Sequence, residues 1–134
     1  MDKLEKWKKY VSFGFTLTGF DLLEPNASTN SERISAMKKL HDAGFKTWAS
    51  IEPVIELKSS AKMIADTYEF CDLYKIGLLS GCKYNKDELR ELIVWSSGSN
   101  AKIYFKDSLL KTAGINREDL PENCVGMDYD MFNQ

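Results

Sequence analysis

The run Val11 to Thr18 (VSFGFTLT) places β-branched and aromatic residues in period two, the pattern of a half-buried strand. Gly19 and the stretch Pro25-Asn26-Ala27-Ser28 then read as a loop. Helical spacing takes over from about Ser31 to Ala43. Ile34, Met37 and Leu40 recur at three-residue steps, Thr29 and Glu32 are spaced as a capping box, and Gly44 follows as a C-terminal glycine. A second strand is predicted from Lys46 to about Glu52, stopped by Pro53, which has no N–H for a ladder. Its helix covers about Ser60 to Cys71, with Ala61, Ile64, Ala65 and Tyr68 on one face. A third strand, Leu73 to Leu79, ends at Ser80-Gly81, and a helix from about Lys86 to Ser96 turns Leu89, Leu92 and Ile93 inward. Asp87 and Glu88 suit the first turn of that helix. A fourth strand, Ala101 to Phe105, leads into a short helix near Ser108 to Ala113.

Strands alternating with helices in this way predict an α/β domain of four parallel βα units. Two ends lie outside the pattern. Leu4, Trp7 and Val11 suit a short amphipathic helix among four lysines. From Ile115 onward, Glu118, Asp119, Glu122, Asp128 and Asp130 stand against Arg117 alone, without periodicity, and an irregular or fraying tail is expected.

Composition narrows the function. The 134 residues suffice for one domain, and 43% apolar with 12% aromatic residues can build its core. Eighteen Lys+Arg against twenty Asp+Glu leave a net charge of −2, so charge does not indicate a nucleic-acid surface. No apolar run approaches the ~18–20 residues of a membrane span, and the first residues carry no secretory core. A cytoplasmic location is expected. Cys71, Cys82 and Cys124 are odd in number and widely spaced, which is no disulfide framework.

In parallel α/β sheets, functional groups collect at the C-terminal ends of strands. Strand one ends with the hydroxyls of Thr16 and Thr18, which β-propensity alone would also explain. Strand two ends with Ser50 and Glu52 on one face, and a carboxylate beside an apolar interior has to be paired, hydrogen-bonded or functional. Its structural alternatives are solvation or a partner such as Lys75 or Arg33. Lys75 stands in mid-strand, where it either meets an anion or snorkels from an edge. Arg33, at the start of the first helix, could reach a carboxylate ligand or lie on the surface. Lys106 and Asp107 close strand four, where exposure is the plainer reading. No Gly-rich phosphate loop, G-x-S-x-G or H-E-x-x-H is present. His41 reads as a surface residue, and the thiols have no metal-knuckle spacing.

Several segments together resemble the second half of a radical S-adenosylmethionine domain, with spore photoproduct lyase-like and phage-type relatives nearest in flavour. They are Thr16-Leu17-Thr18, Leu23-Glu24-Pro25, the helix from Ser31 to Phe45 with its E-R-I and A-G-F, and Ala49-Ser50-Ile51-Glu52-Pro53-Val54-Ile55. Lys75-Ile76-Gly77 and the run from Tyr104 to Leu109 fit later strands of that family. The resemblance covers roughly Val11 to Gly114. It implies a partial (β/α) barrel that holds S-adenosylmethionine beside a 4Fe–4S cluster. By position, Thr16 and Thr18 would lie at the ribose or carboxylate side of the ligand and Arg33 near its carboxylate. Ser50 and Glu52 would line the mouth, and Ile51, Pro53 and Val54 would wall the adenine; Lys75 is counted with them as a cofactor-binding candidate.

The family's Cys-x3-Cys-x2-Cys motif is absent from these residues, and four βα units cannot close a six-unit barrel. The resemblance therefore implies a C-terminal half barrel, severed or truncated, inactive by itself. Its unpaired first-strand edge and uncovered sheet face predict a homodimer, a partner that supplies the missing N-terminal half barrel, or coverage by Trp7 and the N-terminal helix. The alternative reading is a stand-alone α/β binding or interaction module for a small anionic or nucleotide-like ligand.

Overall fold

The computed structural model of the chain describes residues 3–21 and 29–132. Its regular elements are β1 (Ser12–Thr16), α1 (Asn30–Asp42), β2 (Lys46–Val54), α2 (Leu57–Thr67), β3 (Leu73–Leu78), α3 (Lys86–Ser97), β4 (Ile103–Phe105) and α4 (Asp107–Ala113). Short 3-10 helices occupy Lys3–Lys9, Tyr68–Phe70 and Arg117–Asp119. The strands form one parallel sheet in the order β1-β2-β3-β4, so each βα unit delivers the chain to the neighbouring strand and the order never reverses.

Local chemistry explains the boundaries that sequence anticipates. α1 starts on its capping box: Thr29 Oγ1 accepts from the Glu32 N–H at 3.1 Å, and the Glu32 carboxylate accepts from the Thr29 N–H at 3.1 Å. The Thr29 N–H, and the Thr29 hydroxyl at 3.0 Å, both donate to the Glu32 carboxylate and hold it below the usual carboxylate range. Asn85 caps α3 by accepting from the Glu88 N–H at 3.0 Å. Gly114 ends α4 at φ 70°, a left-handed conformation that glycine adopts without a Cβ penalty.

Other boundaries move. The N-terminal segment is a 3-10 helix, and Trp7 is 55% exposed instead of covering the sheet. β1 ends at Thr16, which leaves Thr18 outside the ladder. β2 runs through Pro53 to Val54, with a cis peptide between Glu52 and Pro53. The register with β3 shifts between Ile51 and Val54, so the proline falls where ladder pairing is already interrupted. β4 starts at Ile103, not Ala101. The Leu23-Glu24-Pro25 segment and the Pro25–Ser28 loop lie outside the described residues.

α2 begins and ends earlier than its periodicity suggests, and it buries Ser60, Met63, Ile64 and Thr67 while Ala65 and Tyr68 face outward. The wholly buried Tyr74 hydroxyl meets Thr67 Oγ1 at 2.6 Å and donates to the Ile64 carbonyl at 3.2 Å; Ile64 belongs to the expected face, whereas Thr67 does not.

The two faces of the sheet differ. In parallel register, paired residues share a face. One face carries Ala49 and Ile51 of β2, Tyr74 and Ile76 of β3, and Ile103 and Phe105 of β4, all fully buried. They form the core with Met37, Met63, Ile64, Leu89, Ile93 and Leu109 from the four helices. The other face carries Gly14, Thr16, Trp48, Ser50, Lys75 and Tyr104, and among the described residues its cleft is lined by strand and tail residues with none from within an α-helix.

The acidic tail is more ordered than its composition predicts. The Ile103 N–H donates to the Asn123 carbonyl at 3.0 Å, and the Val125 N–H donates to the Ile103 carbonyl at 2.8 Å. Cys124 thereby forms a parallel bridge on the outer edge of β4. Arg117 secures this segment by donating to the carbonyls of Phe105 at 2.7 Å and Val125 at 3.3 Å, and to Asp107 at 2.7 Å. Among the described residues, no helix is long and apolar enough to cross a membrane.

Candidate functional site on the open face of the sheet

The residues of the open face are arranged in rows fixed by strand register. Gly14, Trp48 and Leu73 make the first row, and Thr16, Ser50, Lys75 and Tyr104 the second. Beyond them, Glu52 and Lys106 flank Gly77 at the C-terminal ends of the strands. Tail residues from Val125 to Met131 rise over the same face, and the cleft between tail and sheet has a volume of about 520 Å3. Ser50, Glu52, Lys75, Lys106, Trp48 and Tyr104 all line it.

Two glycines shape the cleft. A Cβ at Gly14 would fall inside the Trp48 indole, so the ring lies flat over β1 only because position 14 has no side chain. A Cβ at Gly77 would lie 2.8 Å from Glu52 Oε1 and 3.0 Å from Lys106 Cδ. Gly77 therefore leaves the space across which Glu52 and Lys106 join at 2.6 Å. The pair is only partly shielded, with side chains 27% and 48% exposed.

Lys75 sits in the third of four strands, not at an edge, and its ammonium lies 4.5 Å from the centroid of the Trp48 ring. The ring face offsets part of the cost of placing a cation on the sheet, while the three N–H donors remain able to turn toward the cleft. On the far side, the Arg117 guanidinium lies 5.0 Å from the Tyr104 ring centroid. The strand ends are tied together by Tyr84, whose hydroxyl accepts from the Leu79 N–H at 2.9 Å and donates to the Val54 carbonyl at 2.5 Å.

The structure therefore unites Ser50, Glu52 and Lys75, and Thr16 continues their row onto the edge strand, where it is exposed. Thr18 and Arg33 stand apart. Thr18 is buried, and its hydroxyl closes a local turn by accepting from the Phe20 N–H at 3.1 Å. Arg33 donates to the Thr16 carbonyl at 2.7 Å. Ile51 and Val54, expected to wall an adenine, are wholly buried among helix residues on the opposite side. The carboxylate of Glu52 is paired with Lys106, not with Lys75 or Arg33.

Trp48, Tyr104, Gly14 and Arg117 shape the cleft without standing out as site residues in the sequence. A usable signal existed for three of them: Trp48 stands two before Ser50, Tyr104 two before Lys106, and Gly14 two before Thr16, each on the same face by alternation. Arg117 carried no such signal, because its partners come from β4 and the tail.

Cys71, Cys82 and Cys124 are free thiols, and no group of three His, Cys, Asp or Glu side chains among the described residues is placed to hold a metal ion. Burial pushes the Cys71 thiol up to about 12, and burial also raises that of Cys124. Neither is activated as a thiolate in the metal-free chain.

No family model matches the sequence, and no solved structure matches it either. Over 86 residues the chain is 30% identical to an uncharacterised protein of Methanocaldococcus jannaschii, a match covering 60% of this chain and 33% of that protein. The chain spans a third of the length of that relative.

Proposed function

We propose that the four βα units are one half of a (β/α) barrel of the radical S-adenosylmethionine type, and that the open face is its inner, ligand-bearing wall. The observation that carries this reading is the sheet itself. Its strand order runs without reversal, its helices pack against one face, and the other face carries Glu52 and Lys106 at the C-terminal ends of the strands, where the sites of (β/α) barrels lie. A doubly wound sheet would reverse its order and carry helices on both faces.

The described residues do not fit an iron–sulfur cluster, since they bring together no set of metal ligands. Cluster ligands would have to come from a complementary half barrel. The open face does fit part of S-adenosylmethionine. Ser50 and Thr16 offer hydroxyls, Glu52 an acceptor for ribose hydroxyls, Lys75 a cation for a carboxylate, and Trp48 and Tyr104 aromatic walls. This chain's own residues would bind and orient the ligand.

The test is an NMR titration of the 15N-labelled chain with S-adenosylmethionine. Shifts confined to Ser50, Lys75 and the Trp48 indole, reduced in Glu52→Ala and Thr16→Val variants that keep their fold, would support the reading. No shift on the open face at millimolar ligand would sink it. The module reading for an anionic, nucleotide-like ligand draws on Lys75 and Lys106 flanked by two aromatic rings. A stronger response to adenosine triphosphate than to S-adenosylmethionine at the same residues would favour it.

A further inference from the structure

The helical side of the sheet carries a second concavity, independent of the barrel reading. Between α2 and α3 runs a trough of about 480 Å3, with Leu57, Ala61 and Leu92 along it and Trp95 as one wall. Trp95 is 48% exposed, and Val94 beside it is 68% exposed. The rim carries Glu56, Glu88 and Glu91 against Lys58 alone. None of the three carboxylates joins an ion pair among the described residues. A half-exposed tryptophan within an acidic rim calls for a basic segment that brings its own aromatic side chain.

The chain contains one such segment. The 3-10 helix Lys3–Lys9 holds four lysines against Glu5, and it presents Trp7 at 55% and the adjoining Tyr10 at 75% exposure. Lys8 is engaged by Glu5 at 2.5 Å, whereas Lys6 and Lys9 have no acidic partner among the described residues. One chain cannot bring the two surfaces together. Lys8 lies over the Phe45 ring, 5.7 Å from its centroid, at the start of β2, while the trough opens beside Glu56, past the far end of that strand. Nine strand residues separate them by about 30 Å.

We propose that the α2–α3 trough is a self-association site, occupied by the Lys6-Trp7-Lys9-Tyr10 surface of a second copy of this chain. Trp7 would stack against Trp95 over Leu57 and Ala61, with Lys6 and Lys9 facing Glu56 and Glu91. A contact made by one short helix in one trough is expected to be weak and concentration-dependent. Its charge component also makes it sensitive to salt.

Sedimentation velocity of the full chain across a concentration series tests this. The expected result is reversible association in the range of tens of micromolar, weakened about tenfold in K6E/K9E and equally in E56K/E91K. The chain carrying all four reversals should associate again, since the charges are exchanged but complementary, and circular dichroism should show all three variants folded. A chain that stays monomeric throughout overturns the proposal and leaves the trough to a partner of other sequence. Association indifferent to both charge-reversed pairs, or not regained in the folded quadruple variant, also overturns it.

Discussion

Glu52 and Lys106 meet at 2.6 Å across β3, over the bare backbone of Gly77. The contact links strands two and four without a direct ladder between them, and it sets the charge at the mouth of the cleft. Partial exposure limits its worth, so a double-mutant cycle with Glu52→Ala and Lys106→Ala should give a coupling of no more than ~1 kcal/mol. In a Gly77→Ala background the coupling should fall toward zero. Total stability should change little there, because the groups that must move are ends of flexible side chains.

Gly14→Ala should behave differently. Its Cβ would intrude into the Trp48 ring, which must then leave its place over β1 and take the Lys75 stack with it. A destabilisation of ~1–3 kcal/mol is expected, with a shift in tryptophan emission. Unchanged emission together with unchanged stability would show that Trp48 does not lie where described.

Arg117 binds two carbonyls and Asp107 while stacking on Tyr104, a fork geometry that lysine cannot copy. Arg117→Ala should cost ~1–3 kcal/mol and free the tail from the edge of β4. Amide exchange would reveal this as loss of protection at Val125 and Ile103, whose N–H groups bond across that edge. Arg117→Lys should not restore it.

Alkaline pH should weaken the fold through Cys71. Burial raises its thiol from 9.0 to about 12, so the folded form holds its proton where the unfolded chain has lost it. The stabilising contribution is complete below pH 9 and is lost as pH rises toward 12. Burial raises Tyr74 as well, adding loss on the same side. Thermal melts should therefore fall more steeply above pH 9 in the native chain than in Cys71→Ala. Parallel curves would exclude the thiol as the cause.

Breaking the capping box with Thr29→Ala should cost ~1 kcal/mol and fray the first turn of α1, visible as faster amide exchange at Glu32. The neighbouring strands should keep their protection.

The sequence by itself determined the order of the elements and most of the core. Period-two and helical spacing are local consequences of backbone geometry, and caps such as Thr29 with Glu32 satisfy their bonds within one turn, so four βα units were legible. Ser50, Glu52 and Lys75 were legible as a face for the same reason, since alternation survives folding. Only the tertiary structure decided what each of them meets. That Lys75 is central and lies over Trp48, that Glu52 takes Lys106, and that Thr18 turns into its own loop depend on strand order and on which glycines leave room. That Thr67 of α2 meets the buried Tyr74 hydroxyl on β3 is a contact that apolar spacing does not announce. The tail, lacking any period, was ordered by Arg117 and by the unpaired edge of β4, whose polar groups had to be satisfied by whatever part of the chain could reach them.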